Sequence, residues 1–336
     1  MTKRPLRDRT PKELIAALHL ICGTKRTLTG LDTLEKRHLA RVRQIFEDRN
    51  IVGIGISEKV TQTKLTGMPS LCFYVAKKQA RARFSSNKMI PPVISVGGRS
   101  ALFTDVHEIG VVRGQASPLN IQTAPIQSGF SVSHKGAFGA GTVGAIVKKG
   151  NKFYILGNSH VLARSGRADI GDRVIYPGRF DPGQQPVATL TEFATLTNTQ
   201  DFVNCADAAL AEIDSAHVNT INFRIVGANS PVDVIDPVSG MEIVACGRTS
   251  GKVESTIRDF HCRIIIDIDG IGKIGFVDQV RCDPYTKSGD SGALVVEKKS
   301  RKVVGLHIGG SETGSFFTPI RNVQNSLKLK FEFVDF

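Results

Sequence analysis

Beyond residue 139 the chain breaks into short apolar runs separated by glycine-bearing turns, and that punctuation leaves few ways to fold. The runs fall at 142–147, 153–156, 172–176, 187–190, 242–246, 262–268, 274–280, 293–296 and 303–307. Each is too short for a packing helix and suits a strand with one face to hide. The first two flank Lys149-Gly150-Asn151, a good hairpin turn. Many short strands with tight turns imply a β-sandwich or a β-barrel, so the larger part of the chain is expected to be mainly β.

The first third reads differently. Thr10, Pro11 and Glu13 form a helix start, an apolar stretch follows to Cys22, and Gly23 stops it. A secretory signal explains this segment less well, because Asp8, Glu13 and His19 interrupt it. Leu31, Leu34, Leu39, Val42, Ile45 and Phe46 recur at helical spacing behind Asp32 and Glu35, which predicts a second helix. Strands are expected at 51–56, 70–76 and 91–96, the first two separated by a Gly/Pro/Thr-rich connection. Residues 1–115 thus form a small α+β domain, residues 116–138 (with Pro118 and Pro125) a linker or wrapping arm, and residues 139–336 the β-rich domain.

Charge divides at the same place. The chain carries a net +13, and residues 1–100 hold 20 Lys and Arg against 7 Asp and Glu, so the remainder is balanced. Arg4, Arg7, Arg9, Lys12, Arg37, Arg41, Arg43, Lys77, Lys78, Arg81 and Arg83 could present a positive face. Such a face suits an acidic protein partner, or less well a nucleic acid, since the aromatic residues that stack on bases are sparse there. A solvated basic surface is the plainest reading. No apolar run reaches the ~18 residues of a membrane span. The six cysteines form no C-x-x-C pair, so zinc has little support, and reduced thiols in a cytoplasm are expected.

Three segments could carry acyl-transfer chemistry, which needs a nucleophile, a base, an orienting acid and donors for an oxyanion. Ser288-Gly289-Asp290-Ser291-Gly292 offers Ser291 as nucleophile, with the Gly289 and Ser291 N–H groups as the oxyanion hole. Taken alone, this segment also suits a plain turn between strands. Gly157-Asn158-Ser159-His160-Val161-Leu162-Ala163 offers His160 as the base just after a strand. Asp207 opens the apolar run 207–211 and would be costly to bury without a partner, which an imidazole N–H supplies. Asp201 and Asp214 are nearby rivals, but neither begins such a run.

The order His, Asp, Ser, at intervals of 47 and 84 residues, resembles the trypsin/chymotrypsin superfamily of serine proteases, the HtrA-type bacterial members most of all. The resemblance implies a double β-barrel with the active site between the barrels and no cofactor or metal. Ile51-Val52-Gly53-Ile54-Gly55-Ile56, residues 73–78, Thr104-Asp105-Val106 and residues 141–148 are similar to bacterial trypsin-like proteins and plant narrow-leaf-type proteins that carry an N-terminal extension. Unlike the digestive enzymes, no cysteine pair brackets Ser291, and insertion of a processed amino terminus beside Asp290 is not expected.

In this superfamily the residues before the nucleophile and the strand after it build the specificity pocket: here Tyr285, Thr286, His307, Gly309 and Gly310. Tyr285 stands where trypsin-like pockets hold an Asp, which disfavours Arg or Lys. Thr286 with His307 resembles glutamate-specific serine proteases and picornaviral cysteine proteases that cut after Gln. A protonated His307 would favour Glu and a neutral one Gln. The sequence therefore points to a specific regulatory serine endopeptidase whose N-terminal unit regulates access or recruits substrate. The rivals are a catalytically silent binding module on the same fold and a nucleic-acid-binding protein using the basic unit.

Overall fold

The computed structural model describes residues 6, 10–22, 45, 48, 50–61, 64–79, 89–96, 100–112, 125–225, 230–268, 270–328 and 332–333. The expected second helix lies outside these residues except for Ile45, which is helical and buried. The arginines at 4, 7, 9, 37, 41, 43, 81 and 83 lie outside them too, as do residues 116–124 of the 116–138 arm. Lys12, Lys77 and Lys78 are exposed.

Helix α1 spans Lys12–Ile21. Leu14, Ala17, Leu18 and Ile21 recur along one face and are buried, worth roughly 1.5–3 kcal/mol for each large side chain. Its start differs from the expected box. The Pro11 carbonyl accepts from the Leu14 amide (3.0 Å), while the Thr10 hydroxyl turns back to the Leu6 carbonyl (2.8 Å). Strands β1 (Ile51–Thr61), β2 (Lys64–Val75), β3 (Val93–Val96) and β4 (Ser100–Glu108) follow. The Gly/Pro/Thr-rich stretch expected as a connection is instead strand. Glu58 pairs with Pro69 and Val60 with Leu65 across a bulge that absorbs Gly67, so β1 and β2 make one long hairpin.

The first barrel uses β5 (Ile126–Ser128), β6 (Ser131–His134), β7 (Gly141–Thr142), β8 (Ala145–Lys149), β9 (Lys152–Gly157), β10 (Arg173–Tyr176), β11 (Gln185–Phe193) and β12 (Ala209–Ile213). Its sheet runs β8-β9-β12-β11-β10-β6-β7. Strands β7 and β8 stand at opposite ends of that order yet are joined by Val143 and Gly144. Val143 bonds to Gly129 and Phe130, and Gly144 donates to Leu156 (2.8 Å), so one bent stretch closes the barrel. Strand β13 (Ile221–Ile225) pairs with β5.

The second barrel uses β14 (Glu242–Gly247), β15 (Gly251–Ile268), β16 (Gly272–Cys282), β17 (Leu294–Glu297), β18 (Val303–Ser311) and β19 (Gly314–Pro319). Its order is β14-β17-β18-β19-β16-β15, and β15 pairs back to β14 to close the ring. Strand β15 is much longer than the 262–268 run read from sequence. Its first half closes the barrel, and its second half pairs with β1 (Gly53 with Ile264, Ile54 with Arg263), so the N-terminal hairpin extends the same sheet. Ala145, Val147, Leu156 and Leu210 from the first barrel pack against Val244, Leu294, Val296 and Leu306 from the second. The C-terminal helix (Ile320–Ser326) covers that seam with Ile320 and Val323. The architecture is mainly β, a double β-barrel preceded by α and β elements. Among the described residues no helix is long and apolar enough to cross a membrane.

Candidate active site

His160 sits in a single helical turn, Ser159–Leu162, directly after β9. Val161 and Leu162 anchor that turn in the first barrel's core. Asp207 is 0% exposed just before β12, the neighbour of β9. Both of its oxygens serve His160: Oδ1 accepts the His160 backbone N–H (3.0 Å), and Oδ2 is in short contact with ring Nδ1. Asn158 Nδ2 holds the Asp207 carbonyl at 2.7 Å. A carboxylate so buried and so directed fixes the ring and leaves Nε2 as the free ring nitrogen. The rivals are occupied elsewhere. Asp214 pairs with the Arg173 guanidinium, which holds its carboxyl below the usual range, and Asp201 closes a turn with Thr199 (3.0 Å).

The second barrel supplies Ser291 from the loop between β16 and β17. Gly289 and Gly292 both have φ of +95°, a backbone open to glycine and strained for other residues. Among the described residues neither the Gly289 nor the Ser291 N–H has a hydrogen-bond partner. The loop is held by Asp290, whose buried carboxylate accepts three backbone amides: Thr249 (2.9 Å), Ser250 (3.1 Å) and Lys287 (2.7 Å). Gly247 is required beneath it, because a Cβ there would overlap Asp290 Oδ1.

The barrels bring the two halves to one cleft. Thr142 spans them: its N–H donates to the Ser291 carbonyl (2.8 Å), its hydroxyl donates to the Gly289 carbonyl (2.8 Å), and its Oγ1 accepts the Arg248 N–H (3.0 Å). The Arg248 guanidinium crosses to Asp181 of the first barrel at 2.8 and 3.0 Å, and both side chains are 2% exposed. No hydrogen bond joins His160 to Ser291. Ser291 Oγ instead donates to the Ile308 carbonyl at 3.3 Å. Sequence reasoning missed Thr142, Asp181 and Arg248, and no local pattern marks them.

The expected pocket residues gather on the second barrel. His307 is 1% exposed, and Tyr285 OH lies 3.1 Å from its Nδ1 with the rings edge to face. Burial first, and then the nearby His160 charge, push His307 down to about 3, while burial raises the Tyr285 phenol. Ser315 Oγ accepts the Tyr285 N–H (3.0 Å) and shares a hydrogen bond with Thr286 Oγ1 (2.9 Å). Gly309 and Gly310 lie opposite Phe316 and Ser315 in the β18–β19 ladder. Among the described residues no group of three or more His, Cys, Asp or Glu side chains could hold a metal ion, and none of the six cysteines is in a disulfide.

No protein-family model matches the sequence, and no curated protein matches it. Solved structures similar to this chain are chymotrypsin-like serine proteases. Thermobifida fusca protease A is 17% identical with a TM-score of 0.46, covering 63% of this chain and 100% of its own. Nocardiopsis protease is 16% identical with a TM-score of 0.44, covering 62% and 100%. A glutamic-acid-specific serine protease described as using a histidine triad in substrate binding is 14% identical with a TM-score of 0.42, covering 60% and 97%.

Proposed function

We propose that the protein is a serine endopeptidase with His160, Asp207 and Ser291 as its triad and the Gly289 and Ser291 N–H groups as its oxyanion hole. The observation that carries this reading is Asp207, a fully buried carboxylate with both oxygens committed to His160. Ser291 first leaves the Ile308 carbonyl and turns to Nε2. His160 takes its proton as Oγ attacks the scissile carbonyl, and the oxyanion meets the two free N–H groups. His160 then gives the proton to the departing amine, and water hydrolyses the acyl-enzyme by the same base. Asp207 keeps the ring oriented and stabilises its charged form. No step calls for a metal or cofactor.

The wall of Tyr285, Thr286, His307, Gly309 and Gly310 selects Gln before the scissile bond. His307 is held neutral, so the wall gains nothing from a carboxylate's charge, which favours the uncharged amide of Gln. Within this reading residues 1–115 are an N-terminal unit, 116–138 an arm and 139–336 the protease domain of an HtrA-like regulatory enzyme. The Ser291 bond to Ile308 favours a second reading, a catalytically silent binding module.

A fluorescent fluorophosphonate separates the two. Labelling of the wild type, absent in Ser291→Ala and His160→Ala, is the expected result; an unlabelled wild type sinks the protease reading. Matched peptides with Gln, Glu, Leu or Arg before the bond should rank Gln first, about tenfold over Glu. A preference for Leu or Arg removes the pocket assignment.

A further inference from the structure

Among the side chains that tie the N-terminal hairpin to the second barrel, Tyr74 carries polar contacts toward the specificity wall. Tyr74 lies near the end of β2, is fully buried, and meets Asp259, Cys262 (Sγ 3.3 Å from its hydroxyl) and Phe316 of the barrel. Its hydroxyl donates to Asp259 Oδ2 on β15 at 2.6 Å. Its ring meets Phe316 of β19 edge to face, with centroids 6.3 Å apart.

Asp259 and Phe316 each lead to the pocket in one further step. Asp259 Oδ2 also accepts from Arg281 Nη1 (2.9 Å), and the Arg281 guanidinium lies over the Tyr74 ring at 5.7 Å. Arg281 Nη2 donates to the Thr313 carbonyl (3.3 Å) in the turn joining β18 to β19. Phe316 stands opposite Gly309 in that hairpin and follows Ser315, whose hydroxyl binds the Tyr285 amide and Thr286. Tyr74, Ile308 and Phe316 share one buried cluster with Ile264 and Phe276, and the Ile308 carbonyl holds Ser291 Oγ.

We propose that Tyr74 is a positioning residue for substrate selection: through Asp259–Arg281 and through Phe316 it sets where the β18–β19 hairpin holds the pocket wall. A cation and a carboxylate buried together depend on further hydrogen bonds to hold one arrangement; the Tyr74 hydroxyl supplies one to Asp259, and Arg281 Nε is buried without one. Without it, Arg281 can shift toward Asp259 and draw the Thr313 turn with it. Displacement of a wall by a fraction of an ångström alters substrate fit and leaves the acid–base pair of the first barrel untouched. This inference rests on the pocket assignment above.

The test is Tyr74→Phe in the full chain, which keeps the ring against Phe316 and removes only the hydroxyl. For the Gln peptide, KM should rise about tenfold with kcat within twofold, and the Gln-over-Glu ratio should fall toward 1. Fluorophosphonate labelling should persist. A merely structural role would lower active protein and depress kcat for every peptide alike, and that pattern overturns the proposal. Unchanged KM and ratio with a labelled wild type also overturn it while leaving the protease reading intact. If the wild type is unlabelled, titration of a hexapeptide ending in Gln decides: weaker binding to Tyr74→Phe supports the proposal, and equal binding ends it. Should Tyr74→Phe fail to fold, Phe316→Leu, which leaves the Tyr74–Asp259 bond in place, must give the same KM shift.

Discussion

The two barrels are finished in different ways. The first closes through the bent 141–149 stretch, and its core is drawn from residues 126–223 alone. The base and acid candidates stand just after β9 and just before β12, two neighbouring strands of it. The second closes as a ring, but β15 and β16 run on beyond it. Its core continues into Leu14, Leu18 and Ile21 of α1 and into Ile54, Ile56 and Phe73 of the N-terminal hairpin. The lobe that carries His160 and Asp207 has a core of its own. The lobe that carries Ser291 and the proposed pocket shares its core with the first hundred residues.

Removing residues 1–115 is the harshest way to break this comparison. It would bare Ile264 and Ile266 and deprive Asp259 of Tyr74. The shortened chain should lose the second barrel's share of the cooperative unfolding transition by circular dichroism and keep the first barrel's. A soluble, cooperatively unfolding 116–336 fragment that labels like the full chain would make the second barrel as independent as the first. Asp207→Asn tests the self-contained lobe: kcat/KM should fall about 10⁴-fold, near 5.5 kcal/mol, because the amide sets the wrong imidazole tautomer. A loss below tenfold would mean that the pair is not working as base and orienter.

Arg248→Met probes the seam between the lobes. It strands the buried Asp181 carboxylate, and urea denaturation should register a loss of about 3–5 kcal/mol. Arg248→Met with Asp181→Leu should recover most of it; a double variant as weak as the single one would refute the account. The smallest effect concerns His307. Its folded value of about 3 lies below the ordinary 6.5, so between these values the unfolded chain binds a proton that the folded chain refuses. Stability is therefore full above about pH 6.5 and declines as pH falls, by about 2 kcal/mol at about pH 5. His307→Gln should flatten that decline, and an unaltered slope would assign it to other groups.

The β-rich fold was legible because each strand needs only a short local alternation and a turn. The positions of His160, Asp207 and Ser291 were legible as local patterns: a strand-end His, an Asp opening an apolar run, a serine between glycines. What local pattern could not carry lay in long-range pairing. Thr142, Asp181 and Arg248 meet only because the barrels dock. Pro69 and Gly67 read as a connection, yet the bulged β1–β2 ladder takes them in. Residues 314–319 escaped notice as a strand between the glycines of its turn and Pro319. The sequence left His307 open to either protonation state, since burial and not residue type decides it.

One feature of the nucleophile loop bears on timing. The amides that satisfy Asp290 come from residues 249, 250 and 287, interior to the chain and delivered by β14 and by the loop itself. A loop braced by internal amides needs no newly cut chain end to set it. In the protease reading it is set by folding itself, and that reading calls for no peptide-bond cleavage elsewhere in the chain as a starting signal. Any restraint on such a site has to act on what reaches the cleft, or on how the wall beside it is held.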